Sequence, residues 1–360
     1  MISRILTLLF LLIANQSFAQ DFTKEDSLLQ SFYNAGAFQG GGAGFATAGE
    51  IVWSKAAGMS NTETEAHFTI ETPTRIASIA KPMTAIAIMQ LVEAGKLDLD
   101  KPIQTYLPDY PEKKEGTQTT RQYLNHTSGT EHYKNGKEAN NMKNHASLKE
   151  ATEIFKDRKL VGKPGEVYNY TSYGYVVLGR IIESVSGLSY GEYMYTNIWK
   201  PAGMTNTNIE PYGETRPDRT ECYSKGKKGF KLETRTDVSD RIPGGGLYST
   251  VTDVLKFGMA VLENKLIRPE TLRQMLDAKS LKKEGNAYVL GWYHYGENPK
   301  YGEVFGHSGG QIGCSAQLLI LPEIESVTFA ASNTSGAGQA VFQMVFQLFD
   351  SAGKSFKEKK

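Results

Sequence analysis

The 360-residue sequence has little cysteine, and Cys222 and Cys314 are its only two. Two cysteines allow at most one disulfide bond, so a fold held together by a network of disulfides is excluded. An oxidising compartment would permit this pair to bridge, but only if the two residues lie close together. Cys314 falls in an apolar run, which is typical of a small core residue. The sequence leaves open whether the two cysteines pair.

The sequence also lacks net charge, because 40 basic and 39 acidic residues leave a formal charge of +1. A chain without an excess of positive charge is not expected to bind nucleic acid or an anionic membrane surface. The six histidines show no metal-ligand spacing, and the glycines at 40–44 are not followed by the Gly-Lys-Ser/Thr of a phosphate-binding loop. We therefore expect no metal and no cofactor.

No apolar run is long enough to span a membrane. Ile5–Ala14, which follows the basic Arg4, is an apolar stretch with the length of a signal-peptide core rather than of a membrane helix. Small residues precede the bond between Ala19 and Gln20, where we expect cleavage, and no cysteine stands there to carry a lipid. We therefore expect residues 1–19 to be a signal peptide. The mature protein should be secreted or periplasmic, without stable membrane insertion.

The segments that read as strands lie near the two ends of the chain, and the middle is mostly helical. The predicted strands are Ala43–Thr47, Ile51–Ala57, Ala287–Tyr293, Gly302–His307, Gly313–Leu321 and Ser326–Ser332. This order predicts an α+β fold with one antiparallel sheet built from both ends of the chain, flanked by terminal helices and interrupted by a helical insertion. We place a sheet subdomain at 20–80 and 240–352, a helical subdomain at 81–239, and a frayed basic tail at 353–360.

Helix signals support this layout. Ser147 and Glu150, and again Ser189 and Glu192, have the spacing of a capping box. The predicted helices are Phe22–Phe38, Tyr173–Val185 closed by Gly187, a helix capped by Thr252–Asp253 and reaching Leu262, Pro269–Met275, and Gly338–Phe349.

A serine and a lysine three residues apart, Ser78 and Lys81, stand at the start of an apolar helical pattern that ends near Gly95. Positions i and i+3 share one face of a helix, so the lysine nitrogen can lie beside the hydroxyl. Pro82 fits in the first turn, where backbone N–H groups have no helical partner. The positive end of the helix dipole would favour an alkoxide at Ser78. So short a motif also occurs by chance, and it needs support from elsewhere in the chain.

Two other polar clusters follow. Tyr170-Thr-Ser172 precedes a predicted helix inside an aromatic stretch, and His307-Ser-Gly-Gly310 ends a predicted strand with glycines that would let a substrate approach. Taken singly, a tyrosine here is usually a buried ring, and a lone histidine is more often structural than catalytic. We interpret His126, in the Asn125-His-Thr-Ser-Gly129 segment, as structural. Three clusters in this order are more informative than any one of them.

With these motifs, the sequence resembles the serine β-lactamase and penicillin-binding protein superfamily, specifically its class C-like branch of secreted serine hydrolases. The matching segments are Ile76–Lys81, Leu97–Pro102, Tyr106–Pro108, Leu124–Gly129, Tyr168–Tyr175, Leu178–Glu183, Pro201–Met204, Gly245–Ser249 with Asp253, and Gly306–Gly310. The resemblance covers nearly all of the mature chain and implies a β-lactamase/transpeptidase-like fold.

The resemblance implies a role for each matching residue. Ser78 would be the nucleophile that accepts the acyl group, Lys81 its partner, and Tyr170 the residue that relays the proton. Lys81 could be neutral or charged, and Tyr170 could act as a phenolate or in a concerted transfer. The oxyanion hole would use the backbone N–H groups of Ser78 and Gly310. Substrate would contact Ser172, His307, Ser308 and Gly309.

Two residues depart from the class C pattern. Ser172 replaces an asparagine, and its shorter side chain cannot reach the same substrate amide. His307 stands where β-lactamases usually have lysine, and a neutral imidazole is a weaker anchor for a substrate carboxylate. The His-x-Gly pattern is similar to that of the family's D-amino-acid peptidases and esterases. We therefore predict a secreted serine hydrolase that acts through a Ser78 acyl-enzyme on an amide or ester, of peptidase, carboxypeptidase or esterase type.

Two alternatives stay open. One is a β-lactamase of class C type. The other belongs to a different class: a penicillin-binding-like sensor or peptidoglycan-binding protein that keeps the cleft but does not turn over. In each case the expected partner is a small peptide, an ester or a β-lactam. The sequence discloses neither the acyl donor nor the oligomeric state.

Overall fold

The computed structural model describes residues 21–211, 218–278, 281 and 286–360. The predicted signal peptide and its cleavage site therefore lie outside the described residues. The strands are β1 Gly40–Thr47, β2 Glu50–Asn61, β3 Ala66–His67, β4 Thr74–Arg75, β5 Asn208–Ile209, β6 Tyr223–Gly226, β7 Gly229–Leu232, β8 Leu247–Ser249, β9 Tyr293–Asn298, β10 Gly302–Gln311, β11 Cys314–Leu321, β12 Ser326–Ser332 and β13 Thr334–Ser335. The α-helices are α1 Thr23–Asn34, α2 Ala80–Glu93, α3 Thr120–Leu124, α4 Gly136–Ala139, α5 Leu148–Thr152, α6 Ser172–Ser186, α7 Tyr190–Met194, α8 Ile242–Gly245, α9 Val251–Leu262, α10 Pro269–Asp277, α11 Gly338–Gln347 and α12 Phe349–Lys359.

Within the described ranges, a seven-stranded antiparallel sheet has the order β3-β2-β1-β12-β11-β10-β9. The strands from the two ends of the chain meet at its centre, where Gly41 pairs with Ser332 and Thr47 with Ser326. The α+β fold with a sheet built from both ends is therefore confirmed.

Helices cover both faces of this sheet. The terminal helices α1, α11 and α12 pack on one face, where Leu29, Trp53, Val341 and Val345 are buried together. On the other face α9 packs against β1 and β12. Helix α2 contacts α6 and α8 beyond it, and its side chains from Ala80 to Met89 are buried on every side.

Most predicted helix signals are confirmed. Gly187 closes α6 with a left-handed φ of 75°, and Gly95 follows α2 with a φ of 67°. Ser189 and Glu192 form both bonds of a capping box. The Ser147 hydroxyl accepts a hydrogen bond from the Glu150 N–H, which is half of such a box.

Four local predictions were wrong. Residues 287–293 were predicted as a strand, but the strand β9 begins only at Tyr293. The chain turns before it, because Gly291 has a left-handed φ of 84° and the Val289 N–H donates a hydrogen bond of 2.8 Å to the Trp292 carbonyl. Thr250, not Thr252, caps α9 through its side chain. Helix α1 ends at Asn34 rather than Phe38.

The fourth wrong prediction concerns the basic end of the chain, which is not frayed. Residues 349–359 form α12, and the Lys359 ammonium donates hydrogen bonds to the Thr47 carbonyl at 3.2 Å and to Glu50 at 2.7 Å. Short strands β5–β7 also lie inside the segment predicted as helical, 81–239. The subdomain boundaries at residues 80 and 240 stay a prediction.

Candidate active site

Ser78 lies in a single turn of 3₁₀-helix, Ala77–Ile79, that leads from β4 into α2. The residue before it, Ala77, has a φ of 47°, in the left-handed region that L-residues other than glycine rarely adopt. This bend brings Ser78 to the N-terminal end of α2, where the helix dipole favours negative charge. The predicted placement of Ser78 beside the start of a buried helix is confirmed.

Arg75, the last residue of β4, fixes the chain just before this bend. Its guanidinium is buried and donates two hydrogen bonds of 2.8 Å to the Glu210 carboxylate. It also donates one of 3.1 Å to the carbonyl of Ile312, in the turn after β10. The Arg75 carbonyl accepts a hydrogen bond of 2.9 Å from the Cys314 thiol. Cys222 and Cys314 are both buried free thiols, so the pair does not form a disulfide.

Lys81 reaches three oxygens from a fully buried position. Its Nζ lies 3.0 Å from Ser78 Oγ, 3.1 Å from Ser172 Oγ and 2.6 Å from the Gly244 carbonyl oxygen. Burial, and then the charge of Arg241, holds the pKa of Lys81 well below its usual range. A neutral amine has two N–H donors and one lone pair. The donors can serve Gly244 and Ser172, which leaves the lone pair for the Ser78 proton.

Tyr170 completes the group around the serine. Its side chain interacts with that of Ser78, and Lys81 Nζ lies 4.7 Å from the centre of its ring. Burial raises the pKa of Tyr170 well above its ordinary value. Of the two forms left open by the sequence, the raised pKa therefore favours the neutral phenol over the phenolate.

His307 lies in β10 and is buried, with both ring nitrogens occupied. Its Nδ1 donates to the Ser308 carbonyl at 2.6 Å, so its Nε2 is the acceptor of the Tyr288 hydroxyl at 3.1 Å. Burial, and then the nearby Lys81, lowers the pKa of His307 to about 3. The imidazole is therefore neutral at pH 7.

The glycines after His307 let β10 approach the serine. A Cβ on Gly309 would lie 2.4 Å from the Ile76 carbonyl oxygen, so only glycine fits against the segment that carries Ser78. A Cβ on Gly310 would meet nothing within 4 Å, and Gly310 and Ser308 are both exposed. The site residues found in the sequence thus come from the turn before α2 and its first residues, from the segment that leads into α6, and from β10, which packs against the turn that carries Ser78.

Sequence analysis missed three residues of this site. The carbonyl of Gly244 leaves no trace in a sequence, because every residue has one. Tyr288 fell inside a segment predicted as a strand. His132 accepts a hydrogen bond of 3.3 Å from the Ser172 N–H. Its place six residues after His126 could have drawn attention to it.

Across the described part of the chain, no group of three or more histidine, cysteine, aspartate or glutamate side chains could hold a metal ion. No helix among the described residues is both long and apolar enough to cross a membrane.

An antiparallel sheet with helices on both faces, and a Ser-x-x-Lys pair whose buried lysine lies beside a tyrosine, define the serine hydrolases of the β-lactamase and penicillin-binding protein superfamily. The family model described as Beta-lactamase matches residues 26–348, and the chain belongs to this family.

Relatives and solved structures agree with this assignment. The human mitochondrial serine beta-lactamase-like protein LACTB is 31% identical, over 78% of this chain and 68% of its own length. The teichoic acid D-alanine hydrolase of Staphylococcus aureus is 28% identical, over 68% of this chain and 60% of its own length. An octameric penicillin-binding protein homologue from Pyrococcus abyssi superposes with a TM-score of 0.80 at 27% identity, over 92% of this chain and 78% of that one. The protein is a serine hydrolase of the β-lactamase family.

Proposed function

We propose that the protein cleaves an amide or ester bond through an acyl-enzyme on Ser78. The observation that carries the proposal is the position of Lys81, whose buried Nζ lies 3.0 Å from Ser78 Oγ with its pKa lowered. An amine that is neutral at the working pH can take the serine proton as the hydroxyl attacks, which an ammonium cannot do.

The residues then have the following roles. Ser78 Oγ bonds to the substrate carbonyl carbon while its proton passes to Lys81 Nζ. The backbone N–H groups of Ser78 and Gly310 hold the oxyanion. As the C–N or C–O bond breaks, the leaving amine or alcohol takes the proton of the Tyr170 hydroxyl, and Tyr170 takes the one held by Lys81. A water molecule then attacks the ester, and its proton returns to Ser78 through the same pair.

The substrate is an amide or ester of the D-amino-acid peptidase, carboxypeptidase or esterase type. Two features favour this class over β-lactams: a neutral His307 where β-lactamases have a lysine, and Ser172 in place of an asparagine. A third is the similarity to a protein named as a teichoic acid D-alanine hydrolase. Together they support D-alanyl esters and short D-residue peptides as the first substrates to assay.

We also propose that the protein is exported and loses residues 1–19. The support is the basic and apolar character of this segment and the small residues before Gln20. The mass of the protein recovered from the periplasm or medium tests this directly. A chain that begins at Gln20 is expected, whereas a full-length chain retained in the cytoplasm would contradict the proposal.

The catalytic proposal is tested with an activated-serine probe, p-nitrophenyl acetate and a chromogenic cephalosporin. Wild type, Ser78→Ala and the exposed-serine control Ser184→Ala are compared by intact mass and by turnover. We expect labelling and ester hydrolysis in wild type and in Ser184→Ala, and neither in Ser78→Ala. Rapid cephalosporin turnover would favour the β-lactamase alternative, and a stable adduct without turnover the sensor. Equal behaviour of wild type and Ser78→Ala would refute the mechanism.

A further inference from the structure

The segment from His126 to His132 lies along the residues that flank Tyr170 and binds their backbone. The His126 carbonyl accepts a hydrogen bond of 2.8 Å from the Asn169 N–H, and His126 Nδ1 accepts one of 3.2 Å from the Thr171 N–H. His132 Nδ1 accepts the next N–H along the chain, that of Ser172, at 3.3 Å. Tyr170 is therefore held from both sides, and two imidazoles accept consecutive backbone N–H groups just after it.

These N–H groups are at the start of a helix, where backbone donors have no helical partner. Thr171 is the N-cap of α6 and Ser172 its first residue. A ring nitrogen can accept an N–H only if it carries no proton, so both Nδ1 atoms must be unprotonated. The same helix end disfavours an imidazolium, because its dipole is positive there. The fold thus requires both histidines to be neutral.

The ring of His126 also packs against the ring of Tyr170, with centroids 4.3 Å apart. His126 is fully buried and has a φ of 60°, a strained conformation for a histidine that the surrounding contacts maintain. Lys81 Nζ also lies close to the Tyr170 ring, 4.7 Å from its centre. Backbone and ring of Tyr170 are both fixed.

We propose that His126 and His132 are positioning residues for the reaction. By accepting hydrogen bonds from the backbone N–H groups of Thr171 and Ser172, they keep the Tyr170 side chain beside Ser78 and the Ser172 hydroxyl beside Lys81. This inference rests on the proposed function, because it assigns the histidines to the tyrosine and lysine that move the proton. It replaces the interpretation of His126 as a purely structural residue.

The test compares acceptor and non-acceptor variants at the same backbone conformation. Asparagine and glycine both tolerate the φ of His126, but only asparagine offers an oxygen near the place of Nδ1. The measured quantity is the acylation rate per labelled Ser78, from the p-nitrophenyl acetate burst. We expect His126→Gly to slow acylation about 100-fold and His126→Asn to restore most of it. For the same reason, we expect His132→Ala to acylate more slowly than His132→Asn.

The control is His145→Ala, which removes another buried histidine whose hydrogen-bond partner is Ser239. It should lower the melting temperature without changing the acylation rate per labelled site. If His126→Gly acylates as fast as wild type once unfolded protein is discounted, the inference is wrong.

A second measurement does not depend on catalysis. In ¹⁵N spectra of histidine-labelled protein at pH 7, both rings should show an unprotonated Nδ1 and a protonated Nε2. In His126→Gly, the Thr171 amide should exchange with solvent faster than in wild type. A protonated Nδ1 on either ring would overturn the inference whatever the enzyme does. Absence of Ser78 labelling in wild type, with these spectra as expected, would instead refute the proposed function alone.

Discussion

His307 shows how burial and hydrogen bonding together determine the charge of a single side chain. Its Nδ1 donates to a carbonyl and its Nε2 accepts from Tyr288, so neither nitrogen is free to take up a proton. Because the ring is buried, a charge at this position would be expensive as well as unsupported. The residue therefore lies beside Tyr170 as a neutral ring.

This leads to a prediction on substrate charge. In His307→Lys, a cation at this position should raise kcat/KM for N-acetyl-D-alanyl-D-alanine relative to its C-terminal amide by about tenfold, the worth of one charge-assisted hydrogen bond. The same change should lower stability, because the new ammonium is buried. The neutral control His307→Gln should leave the ratio at the wild-type value. A ratio that rises equally in both variants would mean that charge is not the cause.

Strand β10 packs directly against the segment that carries Ser78, and this contact requires glycine at position 309. We expect Gly309→Ala to force β10 away from Ile76, because its Cβ would lie 2.4 Å from a backbone oxygen that cannot move aside. Unfolding should become easier by about 1–3 kcal/mol, as for other overpacked sites, and acylation should slow as the oxyanion donors separate.

Gly310→Ala is the matched control, because its Cβ would meet nothing within 4 Å. Denaturant unfolding and burst kinetics of the two variants decide the question. If Gly309→Ala and Gly310→Ala had the same unfolding midpoint, β10 would not be held against Ile76 as described.

The same elements show what the sequence could and could not reveal. The helix start at Ser189, the closing Gly187 and most strands of the large sheet depend on neighbours within a few residues, so local patterns predicted them. The late start of β9 depends on how Gly291 turns the chain. The last residues form the helix α12 rather than a frayed end because they contact β1 and β2, which are far away in the sequence. Such long-range contacts cannot be read from a local pattern.

For the site, the motifs identified Ser78, Lys81 and Tyr170 and placed them together. The protonation state of Lys81 could not be derived from them, because it depends on burial beneath Gly244 and Ser172, which lie 163 and 91 residues away. The backbone contacts of His126 and His132 were hidden for the same reason. Local motifs therefore identify the candidate reacting groups, whereas tertiary packing determines their charge.

The molecule as a whole carries three histidines that burial keeps neutral. The pKa of His132 is lowered to about 4 and that of His307 to about 3, and the pKa of His126 is held well below its usual range. In the unfolded chain these rings take up protons near pH 6.5, roughly their ordinary pKa. The contribution of these neutral rings to folding stability is therefore fully present above this pH. It is lost as the pH falls from 6.5, roughly the unfolded pKa, toward about 4.

We expect the free energy of unfolding to decline below about pH 6.5 by up to about 1.4 kcal/mol per pH unit for each of these histidines. Burial raises the pKa values of the Glu183 and Asp253 carboxyls, which opposes part of this decline. Urea unfolding at pH 7.5, 6.5 and 5.5, roughly spanning the histidine range, measures the slope. His126→Asn should reduce it, and the exposed-histidine control His67→Gln should not. A flat profile would contradict the neutral state of these rings.

The pairing of β1 with β12 also determines when the protein can fold. Gly41 finds its partner Ser332 only after nearly the whole chain has been synthesised, so the contact order of the sheet is high and its closure is slow. Until then β1 and β2 can form only a hairpin with an unpaired edge, which is prone to aggregation. For the export proposed above, this delay is an advantage: a nascent chain that cannot complete its sheet stays unfolded long enough to be threaded across a membrane, and it folds on the far side.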